Sequence, residues 1–299
     1  MTRLAATALA ALLAASPALA REITHAMGTT DVPDAPERVV VLTNEGTEAA
    51  LALGVTPIGA VQSWTGDPWY DHIAEDMEQV TVVGTESGVN LELVAALEPD
   101  LILGNRMRQE EIYEQLSAIA PTVLSSELRG DWQVNFDLYA EALGKGEAGD
   151  AVMQDYDARV ASLSEALGEA TQEEVSVIRF LPGQIRIYQL DSFSGVVLDQ
   201  LGFARPENQD VNEFAMRVGK ESIPEMDGDR IFHFTYDKGD GEGEAVATEA
   251  LADPLWQSLS AVKEGKVHAV DDAVWNTAGG VIAAELMLDD IAGIYGVQE

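Results

Sequence analysis

Short apolar runs alternate along the chain with stretches in which apolar residues recur every three or four positions. RVVVL (Arg38 to Leu42) and PIGAV (Pro57 to Val61) read as buried strands, and TEAALALG (Thr47 to Gly54) between them reads as a helix closed by Gly54. NLELVAALEPDLIL (Asn90 to Leu103) divides at Pro99 into a helix and a strand, and LSAIAPTVL (Leu116 to Leu124) repeats that plan. Alternation of this kind predicts an α/β fold with mostly parallel sheets.

The second half of the chain echoes the first. SGVVLDQLGF (Ser194 to Phe203) resembles the helix that ends at Leu53-Gly54-Val55. Glu92 stands eight residues before Asp100 and a Leu-Ile-Leu strand; Glu221 stands eight before Asp229 and Arg230-Ile231-Phe232. LSAVKEGKVHAV (Leu259 to Val270) follows the plan of LSAIAPTV, and a Trp comes after each last strand, Trp132 and Trp275. The shared order of these echoes predicts two homologous lobes. Between them Val152, Tyr156, Val160, Leu163 and Leu167 lie on one face of a helix over Gly146 to Glu169. Such a helix is roughly 35 Å long at 1.5 Å per residue. It bridges two small lobes while resisting wide hinge opening. The expected plan is a lobe over 21–145, an interlobe helix over 146–170 and a lobe over 171–299, with a ligand cleft between the lobes.

Residues 1–20 read as an address rather than as fold. Arg3, an apolar run from Leu4 to Ala15 and Ala18-Leu19-Ala20 form a cleavable export signal. No later stretch is long and apolar enough for membrane insertion. The 299 residues contain no cysteine, which excludes disulfides, thiolate nucleophiles and a thioether lipid anchor. Periplasmic export without lipid follows as the expected location. Acidic residues outnumber basic ones by 52 to 17, a formal net charge of -35 that argues against nucleic acid or anionic lipid surfaces as partners.

Facing α/β lobes bind ligands beyond the carboxyl ends of their strands. That rule selects Trp64 after PIGAV and Arg106 after DLILG in the first lobe. In the second it selects Arg179 in VSVIRF, Tyr236 after RIFHF and Trp275 after VHAV; Arg217 there and Arg108 in the first lobe are weaker candidates. Arg forks suit anionic oxygens, and aromatic faces suit a bulky planar ligand. Competing roles are open for these residues: Arg179 as the ion-pair partner of a carboxylate, Trp64 and Trp275 as core. The sequence carries no nucleophile elbow, phosphate loop or metal-ligand spacing among His25, His72, His233 and His268. No enzyme is therefore expected, and DKGDGEGE (Asp237 to Glu244) reads as a solvated loop.

From about Val39 to Asp290 the chain resembles the periplasmic substrate-binding proteins of iron–siderophore and vitamin B12 importers. The resemblance lies in PERVVVL, TEAALALGVTPIGA, NLELVAALEPDLILG, IYEQLSAIAPTV, SFSGVVLDQLGFARPENQ, DPLWQSLSAVKEGKVHAV and AAELMLDDI. RPENQ (Arg205 to Gln209) together with Arg179 resembles the ferric-siderophore branch, whereas GTESGVN (Gly84 to Asn90) departs from the haem branch. The resemblance implies a monomeric receptor that holds a ferric siderophore, with iron inside the chelate and no cofactor of its own, and delivers it to an ABC transporter permease. Cobalamin or haem binding is the alternative within the family, and an exported enzyme the alternative outside it. The resemblance also implies that Glu92 and Glu221, one per lobe, dock on the permease; their other reading is acidic residues favoured by the dipole of a first helical turn.

Overall fold

The computed structural model describes residues 20–298, so the export signal read in the first residues lies outside the described chain except for Ala20. Two five-stranded sheets stand one in each half of the sequence. In the first, Thr81–Val82, Gly59–Ala60, Val39–Val41, Leu101–Asn105 and Thr122–Ser125 lie side by side in that order, all parallel. The second runs Ala215–Val218, Gln184–Tyr188, Val175–Leu181, Arg230–Thr235 and Val267–Ala269. Its last three strands are parallel, but Gln184–Tyr188 pairs antiparallel on both sides. The connection from Val175–Leu181 is too short for a parallel crossover and folds back through Gly183, at φ 72°. The expectation of mostly parallel sheets thus holds throughout the first sheet and on one side of the second.

The internal repeat is physical. Asp100 accepts hydrogen bonds from the backbone N–H groups of Glu37 and Arg38, both at 2.9 Å, and so clamps the start of the neighbouring strand. Asp229 does the same for Glu174 at 2.9 Å. The first helix of each lobe, Asn44–Ala52 and Phe193–Gln200, is capped by a hydroxyl, Thr43 or Ser192, that accepts from a glycine N–H three residues on.

The long helix Gly146–Leu167 buries Tyr156, Val160, Leu163 and Leu167. Tyr156 touches both halves: its ring meets Trp132 edge-on at 5.1 Å, and its hydroxyl donates to Gln200 at 2.7 Å. The last helix, Val281–Tyr295, starts without a capping side chain of its own. Glu48 of the first lobe supplies the acceptor, taking the Ala283 N–H at 2.9 Å while its other oxygen meets His72 Nε2 at 2.6 Å. The backbones come so close here that a Cβ on Gly280 would stand 2.7 Å from Glu48 Cβ. Apolar packing is consequently continuous between the lobes, from Val41 and Leu103 through Leu163 to Val177, Phe234 and Leu288.

Leu163 lies at the centre of that continuity, so Leu163→Ala is expected to destabilise the protein by roughly 2–5 kcal/mol. Urea unfolding followed by Trp fluorescence measures it; a loss below about 0.5 kcal/mol would show that the interlobe helix contributes little to the core.

Candidate functional site

The carboxyl ends of the parallel strands in both lobes face a shared cavity of about 420 Å³. Its first-lobe wall carries Glu45, Trp64, Glu86, Arg108 and Arg129; its second-lobe wall carries Arg179, Arg186, Phe214, Tyr236 and Lys238. The backbone from Asn276 to Gly279 closes one side.

Arg179 forms the floor. It is 5% exposed and grips Asp272 in a two-point contact, Nε to Oδ1 at 2.6 Å and Nη2 to Oδ2 at 2.9 Å, with Nη1 reaching the Tyr188 hydroxyl at 3.3 Å. Burial opposes its charge, but Tyr188 and Asp272 outweigh that cost and raise its pKa. The guanidinium lies 4.9 Å from the centre of the Tyr236 ring. The Tyr236 hydroxyl itself has no hydrogen-bond partner among the described residues, and burial raises its pKa. Arg186 is the cross-strand neighbour of Arg179 and faces the same cavity. Its Nε is buried without a hydrogen-bond partner among the described residues, and its guanidinium rests 5.9 Å from the Phe214 ring.

The first lobe adds two guanidinium groups. Arg108 donates from Nε to Glu86 Oε2 at 3.2 Å and lies 5.6 Å from the Trp64 ring. Glu86 comes from the hairpin Gly84–Thr85 with Gly88–Val89 and also takes the Asn44 N–H at 2.8 Å. Arg129 reaches across the cleft, 3.7 Å from Asp191 and 5.0 Å from the centre of the Phe214 ring. Its φ of 92° is strained for a residue with a side chain, a backbone cost characteristic of functional loops. Glu45 completes this wall; it is 5% exposed, and burial raises its pKa well above the ordinary carboxyl value, with Asn135 opposing the shift.

Five of the chain's seventeen basic residues therefore line one cavity in a protein of net charge -35. Among the described residues no cluster of His, Asp and Glu is arranged to hold a metal ion. The chemistry on offer is recognition of anionic oxygens by guanidinium forks, with aromatic faces beside them.

Of the residues selected from sequence, Trp64, Arg179 and Tyr236 line the cavity, as does the weaker candidate Arg108. Three do not. Arg106 hydrogen-bonds Ser126 at 3.3 Å outside the cavity wall, and Arg108 takes its place. Both lie on the four-residue helix Arg106–Gln109, where residues two apart cannot share a face. Arg217 stands exposed on the edge strand Ala215–Val218, beyond Arg186. Trp275 is 0% exposed: its ring lies 4.6 Å from Phe232 and its indole N–H donates to Asp290 at 2.8 Å, so it is core. Glu92 and Glu221 are exposed in the first turns of Leu91–Ala96 and of the 3-10 helix Lys220–Met226. Arg129, Arg186, Lys238, Phe214, Glu45 and Glu86 escaped the sequence reading. Only Arg186 left a trace there, as a charge between Ile185 and Ile187 in an otherwise apolar strand.

The sequence matches the family described as periplasmic binding protein over residues 39–274. The probable siderophore-binding lipoprotein YfiY of Bacillus subtilis is 53% identical over 281 residues, 91% of this chain and 86% of that one. The achromobactin-binding periplasmic protein of Dickeya dadantii is 32% identical over 268 residues, 88% and 87% of the two chains. The crystal structure of Staphylococcus aureus SirA complexed with staphyloferrin B superposes with a TM-score of 0.86 at 34% identity, covering 93% of this chain and 99% of that one.

Two stability outcomes follow from the geometry. Arg179→Ala leaves Asp272 buried without its partner and is expected to cost roughly 3–5 kcal/mol of apo stability. Arg186→Ala, which breaks no ion pair among the described residues, is expected to cost less than about 1 kcal/mol. Equal losses in urea titrations of the two variants would contradict the pairing. Glu45 adds a pH dependence. A raised folded pKa means stability is full below the unfolded carboxyl's range and is lost as pH rises from there toward the folded value. Glu45→Gln stays neutral at every pH, so its apo Tm should exceed the parent's at neutral pH and converge with it in acid.

Proposed function

The chain belongs to the periplasmic binding protein family, and from that premise we propose that it captures a ferric siderophore and delivers it to an ABC permease for iron uptake. One observation carries the reading: guanidinium groups and aromatic faces line the interlobe cavity of a protein that is acidic overall. Iron travels inside the chelate, and the protein contacts the chelator's anionic oxygens. The cavity is too wide for a bare ion and carries no cluster of His, Asp and Glu to ligate one among the described residues. Relatives named for siderophore binding support the same ligand class.

The division of labour follows from burial. Arg179 is committed to Asp272 and shapes the floor, while Arg186, Arg108 and Arg129 present charge to the ligand, and Trp64 and Tyr236 cover it. Glu92 and Glu221, one on each lobe, dock on basic pockets of a two-subunit permease in this reading, which their exposure supports. The export signal in residues 1–20 directs the chain to the periplasm. A relative is named a lipoprotein, but these 299 residues contain no cysteine to accept a thioether lipid. The receptor works as a monomer, since each lobe of one chain supplies half of the cavity.

Mass spectrometry of the small molecule that co-purifies from the native periplasm tests the ligand class. A ferric chelator is expected, and a corrinoid or porphyrin would overturn it. With the identified chelate, Arg186→Ala should weaken binding by about tenfold to a hundredfold, the value of a hydrogen bond to a charged group, with apo Tm nearly unchanged. The paired Glu92→Ala and Glu221→Ala variant should keep ligand affinity but lose uptake in cells where this receptor is the only one. Normal uptake by that variant would leave the two residues as helix-start charges.

A further inference from the structure

Glu45 is an acidic side chain of the cavity wall with no ion-pair partner among the described residues, whereas Glu86 has Arg108. Its Oε1 is buried and has no hydrogen-bond partner among the described residues. The groups that act on its charge from the wall itself are acidic or neutral: Glu48, Glu86, Asp131 and Asn135. Glu48 on its own helix is occupied by His72 and the Ala283 N–H. Glu86 on the hairpin is occupied by Asn44 and Arg108. Asp131 stands at the N-cap position of the helix Trp132–Ala142, which also brings up Asn135 and Tyr139. Three carboxylates and a desolvated setting oppose a further negative charge at this point, and burial together with Glu86, Asp131 and Glu48 raises the carboxyl's pKa well above its ordinary range. The helix-start position favours an anion, but by too little to overcome burial.

The surrounding cavity adds the second half of the inference. Its cations draw an anionic ligand in, and an ionised Glu45 in the same wall would repel that ligand. A protonated carboxyl does the opposite: it keeps one O–H donor and aims it at acceptors. The terminal torsion of a Glu side chain is broad, so the O–H can turn from the wall into the cavity without leaving its rotamer. We propose that Glu45 is a specificity-determining residue, holding its proton in the folded protein and donating that hydrogen bond to a peripheral oxygen of the bound chelate. The role rests on the proposed capture of an anionic ferric chelate. It selects ligands whose outer edge carries acceptor oxygens, such as uncoordinated carboxylates, over those whose edge presents only donors. It also ties capture to pH, because loss of the proton removes the donor and installs a repulsive charge.

Two readouts separate the inference from the reading beneath it. The first is the infrared band of a protonated carboxylic acid in the apo protein, compared between the parent and Glu45→Gln. The second is Trp fluorescence titration with ferric citrate, a ferric trihydroxamate and a ferric tris-catecholate, at mildly acid and mildly alkaline pH. The parent should show a neutral-pH carboxylic acid band that Glu45→Gln lacks. Its affinity for the preferred chelate should fall by about tenfold or more at alkaline pH, the loss of one hydrogen bond to a charged group. Glu45→Gln, which keeps a donor and cannot ionise, should bind like the parent in acid and hold that affinity in alkali, whereas Glu45→Leu should bind weakly at both. No band difference with binding intact overturns the role of Glu45 alone. A band with Glu45→Leu binding like the parent also overturns it, since the proton is then held away from the ligand. If no ferric chelate in the panel binds, the reading of the cavity fails first and the inference falls with it.

Discussion

Arg179 and Asp272 are both nearly excluded from water, and neither charge could stay there alone. Their two-point contact joins the central strand of the second sheet to the segment that follows its edge strand Val267–Ala269. That segment then runs through the turn at Ala273–Thr277, lines the cavity with Asn276 to Gly279 and enters the last helix. Position after position in the second-lobe wall is set by this pair. Tyr236 stacks on the same guanidinium, and Thr277 donates to the same carboxylate at 3.1 Å. The arginine that looks most like a ligand contact is therefore first a structural member, and the neighbouring Arg186, without a carboxylate partner among the described residues, is the freer cation.

The lobes are also tied to each other at points flanking the cavity. Behind it, Glu48 caps the helix of the opposite lobe; at its rim, Arg129 meets Asp191 and the Phe214 ring. A buried hydrogen bond to a charged group resists separation, while a half-exposed ion pair at 3.7 Å yields to solvent at little cost. Of the two ties, the Glu48 contact is therefore the firmer and the Arg129 contact the weaker.

Much of this architecture was legible in the residues. Apolar periodicity located the strands and the interlobe helix, because both reflect a single buried face. The repeat was visible because Asp100 and Asp229 do the same work, clamping the start of a neighbouring strand. The cavity wall was harder. The rule of carboxyl strand ends found Trp64, Arg179 and Tyr236, yet Arg186 lies in the middle of an antiparallel strand and comes beside Arg179 because the turn at Gly183 folds that strand back. Arg108 replaces Arg106 because a short helix capped by Asn105 decides which side chain faces inward. Trp275 follows a strand end but turns into the core, as Trp132 does in the other half. Glu45 carried no signal at all, since its burial comes from segments far away in sequence.

The uneven placement of charge governs the rate of capture as well as its strength. An anionic chelate approaching from a distance meets the field of a molecule with net charge -35 and is slowed by it. Salt screens that outer field over a Debye length of about 8–10 Å at physiological ionic strength, while the partly desolvated contacts inside the cavity are screened much less. Added salt therefore accelerates the encounter more than it weakens the bound state, the reverse of the usual behaviour of a charged receptor. For a ligand of that charge, the acidic exterior makes a saline medium the one in which this cleft fills fastest.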